Sequence, residues 1–115
     1  MMSGCVSQKE AASPSGLYKS ARAEQAAFES YDRAMELWDC EYHEDWVETE
    51  YGRTHIVVAG PEEGKPLFLM PGLFADASMW YANVGELSKV YRVYAVDLLV
   101  YGGKSERSDR TIGDI

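Results

Sequence analysis

The sequence predicts an α/β fold: an N-terminal helix, a β-hairpin and one strand–helix–strand unit. Three observations predict it. Apolar and aromatic residues recur at helical spacing between Phe28 and Trp38. Val47, Thr49 and Tyr51 alternate with Glu48 and Glu50, a period of two that marks a half-buried strand. Two short apolar runs, Leu67 to Met70 and Tyr91 to Val96, flank a capped helical stretch, the pattern of a right-handed βαβ crossover.

The elements follow in order. Residues 1–16 are small and polar, with Pro14 and Gly16, and read as a disordered leader. Residues 17–39 read as a helix. Phe28, Tyr31, Met35 and Trp38 share one face, and Ala26, Ala27 and Ala34 raise the propensity. Lys19, Arg22, Glu29, Asp32, Arg33 and Glu36 cover the other side. Such an aromatic stripe is a docking face for the sheet that follows. Strands over 46–51 and 54–59 form a hairpin, with Gly52 supplying the turn. His55 alternates with the apolar residues of its strand and reads as an exposed position; His43 falls in an acidic loop. Residues 60–66 are a loop by composition. Residues 67–70 do not alternate, so both faces of that strand are expected to be buried. Asp76 or Ser78 can cap a helix over 79–89, and the strand over 91–96 ends at Asp97.

Composition narrows the functions. The chain has 115 residues, the size of one domain, whereas complete doubly wound α/β enzymes usually run to about 200 or more. Nineteen acidic against eleven basic residues give a formal charge of −8. Phosphate binding needs clustered Lys and Arg, so nucleic acid is excluded as a partner. The densest acidic stretch, Glu41 to Glu50, reads as a solubilising surface. Cys5 and Cys40 form neither a CxxC pair nor a metal cluster, and neither metal nor cofactor is expected. No apolar stretch precedes Cys5 as a signal peptide requires, and no run approaches the ~18 apolar residues of a membrane helix. The reading is a cytoplasmic protein with reduced thiols and no membrane contact.

In open α/β sheets ligands gather at the C-terminal ends of the parallel strands. Two loops leave such ends: Pro71 to Asp76, and Asp97 to Ser105. The stretch Lys65-Pro66-Leu67-Phe68-Leu69-Met70-Pro71-Gly72, then Met79-Trp80, then Leu87 to Asp97, resembles the start of α/β-hydrolases. In that family the third strand ends in His-Gly, a Trp follows on the first helix, and the fourth strand ends in Asp before a Gly-rich turn and Ser. Residues 47–60 resemble the family's opening hairpin, and the helix before it resembles the extension of bacterial carboxylesterase-like members. The match covers residues 17–110, and it rests on the order and spacing of the motifs together. The fold so implied is the first half of an α/β-hydrolase sheet, truncated after the fourth strand.

The resemblance implies an ester-hydrolysing parent. Acyl transfer builds negative charge on a carbonyl oxygen, which preplaced backbone N–H groups stabilise. One such donor comes from the loop after the third strand. The corresponding residue is Leu73, with Phe74 as a lining residue and Gly72 and Trp80 beside the substrate. Against this, Pro71-Gly72 is also ordinary turn chemistry. Two departures stand out. Pro71 replaces the usual His and so lacks a backbone donor. Val100 stands where many members have Gly, so Gly102-Gly103 is expected to make the turn.

No Ser lies in Gly-x-Ser-x-Gly: Ser105 is followed two residues on by Arg107, and Ser78 is flanked by Asp76 and Trp80. His43 and His55 both precede the oxyanion loop, contrary to the family order. The chain is therefore expected to lack nucleophile, acid and catalytic His, and to be inactive alone. A haloalkane dehalogenase or epoxide hydrolase parent would use an Asp nucleophile instead. Gly103-Lys104-Ser105 resembles the tail of a P-loop, but Leu98 occupies the required first Gly. A second hypothesis is a non-catalytic small domain that pairs with a partner, or with itself, through an open strand edge at Leu67 to Met70.

Overall fold

The computed structural model describes residues 11–14, 16, 18–99 and 103–107. Residues 1–10, most of the expected leader, fall outside these, as do Val100 and Gly102. The end of the leader is tied down: the Ala21 N–H donates to the Ala11 carbonyl at 2.8 Å, and Ser13 Oγ donates to Glu24 Oε1 at 3.0 Å.

Helix α1 spans Ala21–Met35. It starts later than residue 17 because Ser20, in extended backbone, accepts the Ala23 N–H on its hydroxyl at 3.1 Å. It ends at Met35, yet Trp38 stays on the same face. The N–H groups of Glu36, Leu37 and Trp38 each bond three residues back, so the chain continues as a tightened turn. Tyr31, Met35 and Trp38 are buried, and the Trp38 indole N–H donates to the Ser78 carbonyl at 3.3 Å.

Strands β1 (Tyr42–Thr49) and β2 (Gly52–Ala59) form an antiparallel hairpin with Tyr42 opposite Ala59 and Thr49 opposite Gly52. The turn residues are thus Glu50 and Tyr51. Gly52 opens β2 at φ +135°, where a Cβ would lie 1.9 Å from the Glu106 carbonyl oxygen. Its role is close approach of another strand, not the turn itself. β1 begins at residue 42 rather than 46, and every residue of it is exposed. With no buried face, its first half carries no alternation to read.

Strand β3 (Lys65–Leu69) runs parallel to β4 (Tyr91–Val96), and β4 pairs antiparallel with β2. The sheet order is β1-β2-β4-β3, and a short β5 (Glu106–Arg107) pairs with the start of β2. Between β3 and β4 the chain forms a 3₁₀ helix, Ala77–Ala82, and a one-turn α2, Val84–Leu87, in place of the single helix expected over 79–89. Ser, Trp, Tyr, Asn and Gly in this stretch are mediocre helix formers. Gly85 also leaves room for the Asp39 carboxylate, which a Cβ there would meet at 2.4 Å.

The core lies on one face of the sheet. Tyr31 and Met35 of α1, and Trp38 just beyond it, pack with Ala77 and Val84 against Val57, Ala59, Leu69, Val93 and Ala95. On the other face Val58 and Val96 are buried, but cover thins toward β3. Phe68 is 59% exposed, stacked on Tyr94 with ring centroids 5.0 Å apart, and Met70 is 55% exposed. The expectation that both faces of β3 are buried is therefore corrected. β3 is the edge strand, and among the described residues no strand pairs its outer side. No helix among the described residues is long and apolar enough to cross a membrane.

Candidate active site

The parallel register sets Leu69 beside Ala95, so the chain leaves β3 and β4 at adjacent points. After β3, the Ala75 N–H donates to the Gly72 carbonyl at 3.0 Å, closing a four-residue turn. Phe74 has φ +59° and Leu73 does not have positive φ, which makes it a type II turn. That turn favours Gly or Asn at its third position. A phenylalanine there stores strain on the order of 1–3 kcal/mol. The left-handed residue of the turn is therefore Phe74, and Gly72 of the Pro71-Gly72 pair does not have positive φ. A Cβ at Gly72 would meet only Met79 Cε, at an ordinary 3.8 Å.

The four residues singled out from sequence divide into two groups. Gly72, Leu73 and Phe74 share this turn, with Leu73 71% and Phe74 80% exposed. The Gly72 N–H is engaged by Met79 Sδ at 3.2 Å. The Leu73 N–H donates to no group among the described residues. Trp80, by contrast, packs against the hydrophobic core from the 3₁₀ helix. Its indole N–H is buried without a hydrogen-bond partner among the described residues.

Asp97, at the tip of β4, holds the two loops together. Its carboxylate is fully buried. Oδ1 accepts the Ala77 N–H at 2.7 Å, from the end of the β3 loop. Oδ2 accepts the Lys104 N–H at 2.9 Å, from the loop after β4. Gly103 lies so close that a Cβ would fall 2.4 Å from the Asp97 carboxyl carbon, at φ +68°. Only glycine fits that approach. Gly103-Lys104-Ser105 leads into β5 and not a helix, so it lacks the phosphate-binding geometry of a P-loop.

His55 corrects the sequence reading most sharply. It is completely buried, not exposed. Its Nδ1 lies 2.8 Å from Asp97 Oδ2 and its Nε2 lies 3.0 Å from Glu44 Oε1. Tyr31 Oη approaches Nδ1 at 3.4 Å. A buried polar ring is tolerated because these partners satisfy it. His43, read as a loop residue, lies in β1 opposite Val58.

Ser105, His55 and Asp97 meet, but not as a catalytic triad. Ser105 Oγ accepts the His55 backbone N–H at 2.8 Å and donates to the Asp97 backbone carbonyl at 2.7 Å. Its proton faces a carbonyl, not the imidazole, and the hydroxyl is buried. A nucleophile needs a base within reach and an open approach. Here the hydroxyl instead staples β2 to the post-β4 loop, as the Asp97 N–H to His55 carbonyl bond of 3.0 Å also does.

Burial pushes the Tyr31 phenol well above its ordinary range, with the Asp97 carboxylate adding to it, so it stays a neutral donor. Partial burial pulls the Lys104 ammonium down. The hydrogen bond to Asp32 and the Glu44 carboxylate outweigh that, and the net shift is upward. Lys104 also lies over the Tyr31 ring, 5.1 Å from its centroid. No group of His, Cys, Asp or Glu suited to a metal occurs among the described residues. A depression lined by Tyr42, His43, Gly60 and Arg92 lies at the opposite end of the strands, away from this cluster.

No protein-family model matches the chain. Two proteins of Bacillus subtilis strain 168 do. The uncharacterized carboxylesterase nap is 35% identical over 78 residues, 68% of this chain and 26% of that protein. The carboxylesterase YbfK is 36% identical over 78 residues, with the same coverage of 68% and 26%. The crystal structure of carboxylesterase CesB (YbfK) superposes with a TM-score of 0.73 at 34% identity, over 75% of this chain and 30% of that one. The chain thus spans about a quarter of the length of the relatives it matches. It has the opening part of the α/β-hydrolase fold, in the form that bacterial carboxylesterases carry at their N-terminus.

Proposed function

We propose that this chain is the oxyanion-loop portion of a serine-type α/β-hydrolase acting on carboxylic esters. The observation that carries the reading is the Leu73 amide. It projects from a strained turn at the tip of β3 and has no acceptor among the described residues. In the proposed reaction a serine attacks the ester carbonyl, and a histidine takes the serine proton. The Leu73 N–H and the N–H after the nucleophile hold the oxygen as it becomes negative. Phe74 lines the acyl site beside it, and Gly72 and Trp80 are the further substrate-binding residues. Nucleophile, acid and base are supplied from outside these residues, since Ser105 and His55 are committed to structural bonds. Likeness to carboxylesterases supports the ester substrate class.

A second reading is favoured by one observation: Phe68 on the edge strand β3, and Met70 just after it, stand exposed, and among the described residues no strand pairs the outer side of β3. Such an edge recruits another strand, from a partner or a second copy. One experiment separates the two. The 115-residue chain and the product of its uninterrupted reading frame are assayed with p-nitrophenyl esters. The chain alone is expected to turn over at the buffer rate. The longer product is expected to carry a nucleophile elbow within roughly 30 further residues and to hydrolyse the ester. Turnover by the chain alone contradicts the placing of nucleophile, acid and base outside these residues. An in-frame stop after codon 115 favours the strand-pairing domain.

A further inference from the structure

The geometry points to His55 as a positioning residue that fixes the loops at the tips of β3 and β4 by fixing the Asp97 carboxylate. The inference takes its functional meaning from the ester reading above, but its geometry is independent of it.

Asp97 joins Ala77 and Lys104, the first fixed points of the two loops, only while its carboxylate plane keeps one orientation. Oδ1 serves Ala77 and Oδ2 serves Lys104. Rotation about the Cβ–Cγ bond breaks at least one of these bonds. The His55 Nδ1, at 2.8 Å, adds a second donor to Oδ2 and opposes that rotation. The imidazole is itself held on every side. Glu44 takes Nε2 from β1, Tyr31 stands edge-on from α1 at 5.7 Å between ring centroids, and the Trp46 ring lies at 4.7 Å. Lys104, paired with Asp32 and Glu44, closes the cluster from the loop side. With both ring nitrogens engaged and no exposed surface, His55 cannot reach a substrate. Its effect passes through Asp97.

The test uses amide hydrogen exchange of the 115-residue chain by NMR. Asn and Gln separate the two ring nitrogens: an Asn amide can reproduce the donor at Nδ1, and a Gln amide the donor at Nε2. His55→Gln is expected to speed exchange of the Ala77 and Lys104 amides about tenfold or more, by freeing the carboxylate. His55→Asn is expected to keep both amides within about threefold of the parent chain. The ladder amides of β2 and β4 should stay protected in both. Glu44→Ala, at a side chain 35% exposed, is the second and milder variant. It should loosen the same two amides, while Asp32→Ala, which touches only Lys104, should not. Equal loosening by Asn and Gln, acceleration of every amide together, or protected loop amides in both His55→Gln and Glu44→Ala would each overturn the assignment. Exchange does not depend on ester turnover, so failure here leaves the ester reading standing, and the converse holds.

Discussion

Asp97→Ala is expected to cost about 3–5 kcal/mol of folding stability, as removal of one partner from a buried ionic network does. The substitution removes almost no apolar area, so lost hydrophobic burial is not the cause. It orphans three donors: the Ala77 N–H, the Lys104 N–H and the His55 ring N–H. Each buried donor without a partner costs about 1–3 kcal/mol, and relaxation of the loops keeps the sum below the arithmetic total. For a chain whose whole stability is of order 5–15 kcal/mol, that is a large part of the margin. Asp97→Asn is no rescue, because one face of the amide turns N–H donors toward N–H donors. Urea unfolding followed by circular dichroism measures the effect. Glu86→Ala, an exposed site paired only with Lys89, is the control and should stay within about 0.5 kcal/mol. A loss below about 1 kcal/mol for Asp97→Ala would mean that the loops do not depend on this carboxylate.

Leu73→Pro should lower kcat for ester hydrolysis about 10²–10³-fold in the product of the full reading frame, the usual effect of deleting one oxyanion donor. The position makes the substitution unusually clean. Leu73 is the second residue of a type II turn, where proline is favoured, and its φ is not positive. Proline removes the N–H and little else, since the Leu73 side chain is largely exposed. Leu73→Ala keeps the N–H and is expected to stay within a few-fold of the parent. Steady-state kinetics on a p-nitrophenyl ester decides it. If proline and alanine behave alike, the amide is not a donor to the reacting oxygen. A change confined to KM would point to ground-state binding instead.

The α/β class and its likeness to the carboxylesterase-type hydrolases were legible because they rest on local patterns. The hairpin alternation, the apolar strands and the spacing of Gly72, Trp80 and Asp97 are all visible without tertiary knowledge. What was not legible depended on partners far along the chain. His55 read as exposed because a polar residue in an alternating strand normally faces water. Its partner Asp97 lies 42 residues away, and Tyr31 lies 24 away on another element. Trp38 was placed on the right face of α1 though beyond its helical end, since a tightened turn preserves direction for a few residues. Phe68 read as buried because its run does not alternate, but nothing among the described residues covers that side of β3. Gly72 drew attention as the bend because glycine usually marks one; the positive φ falls two residues on, at Phe74, where no residue preference announces it. The role of Leu73 came from resemblance, and its environment supports that role without deriving it.

In the proposed reaction the Leu73 amide faces the oxygen of a reacting ester. A structure of the full-reading-frame protein inactivated by a p-nitrophenyl phosphonate measures this directly, because the phosphonyl oxygen stands where the oxyanion forms. The Leu73 nitrogen is expected about 2.7–3.1 Å from that oxygen. A phosphonyl oxygen held by other donors, with the Leu73 N–H turned to solvent, would contradict it.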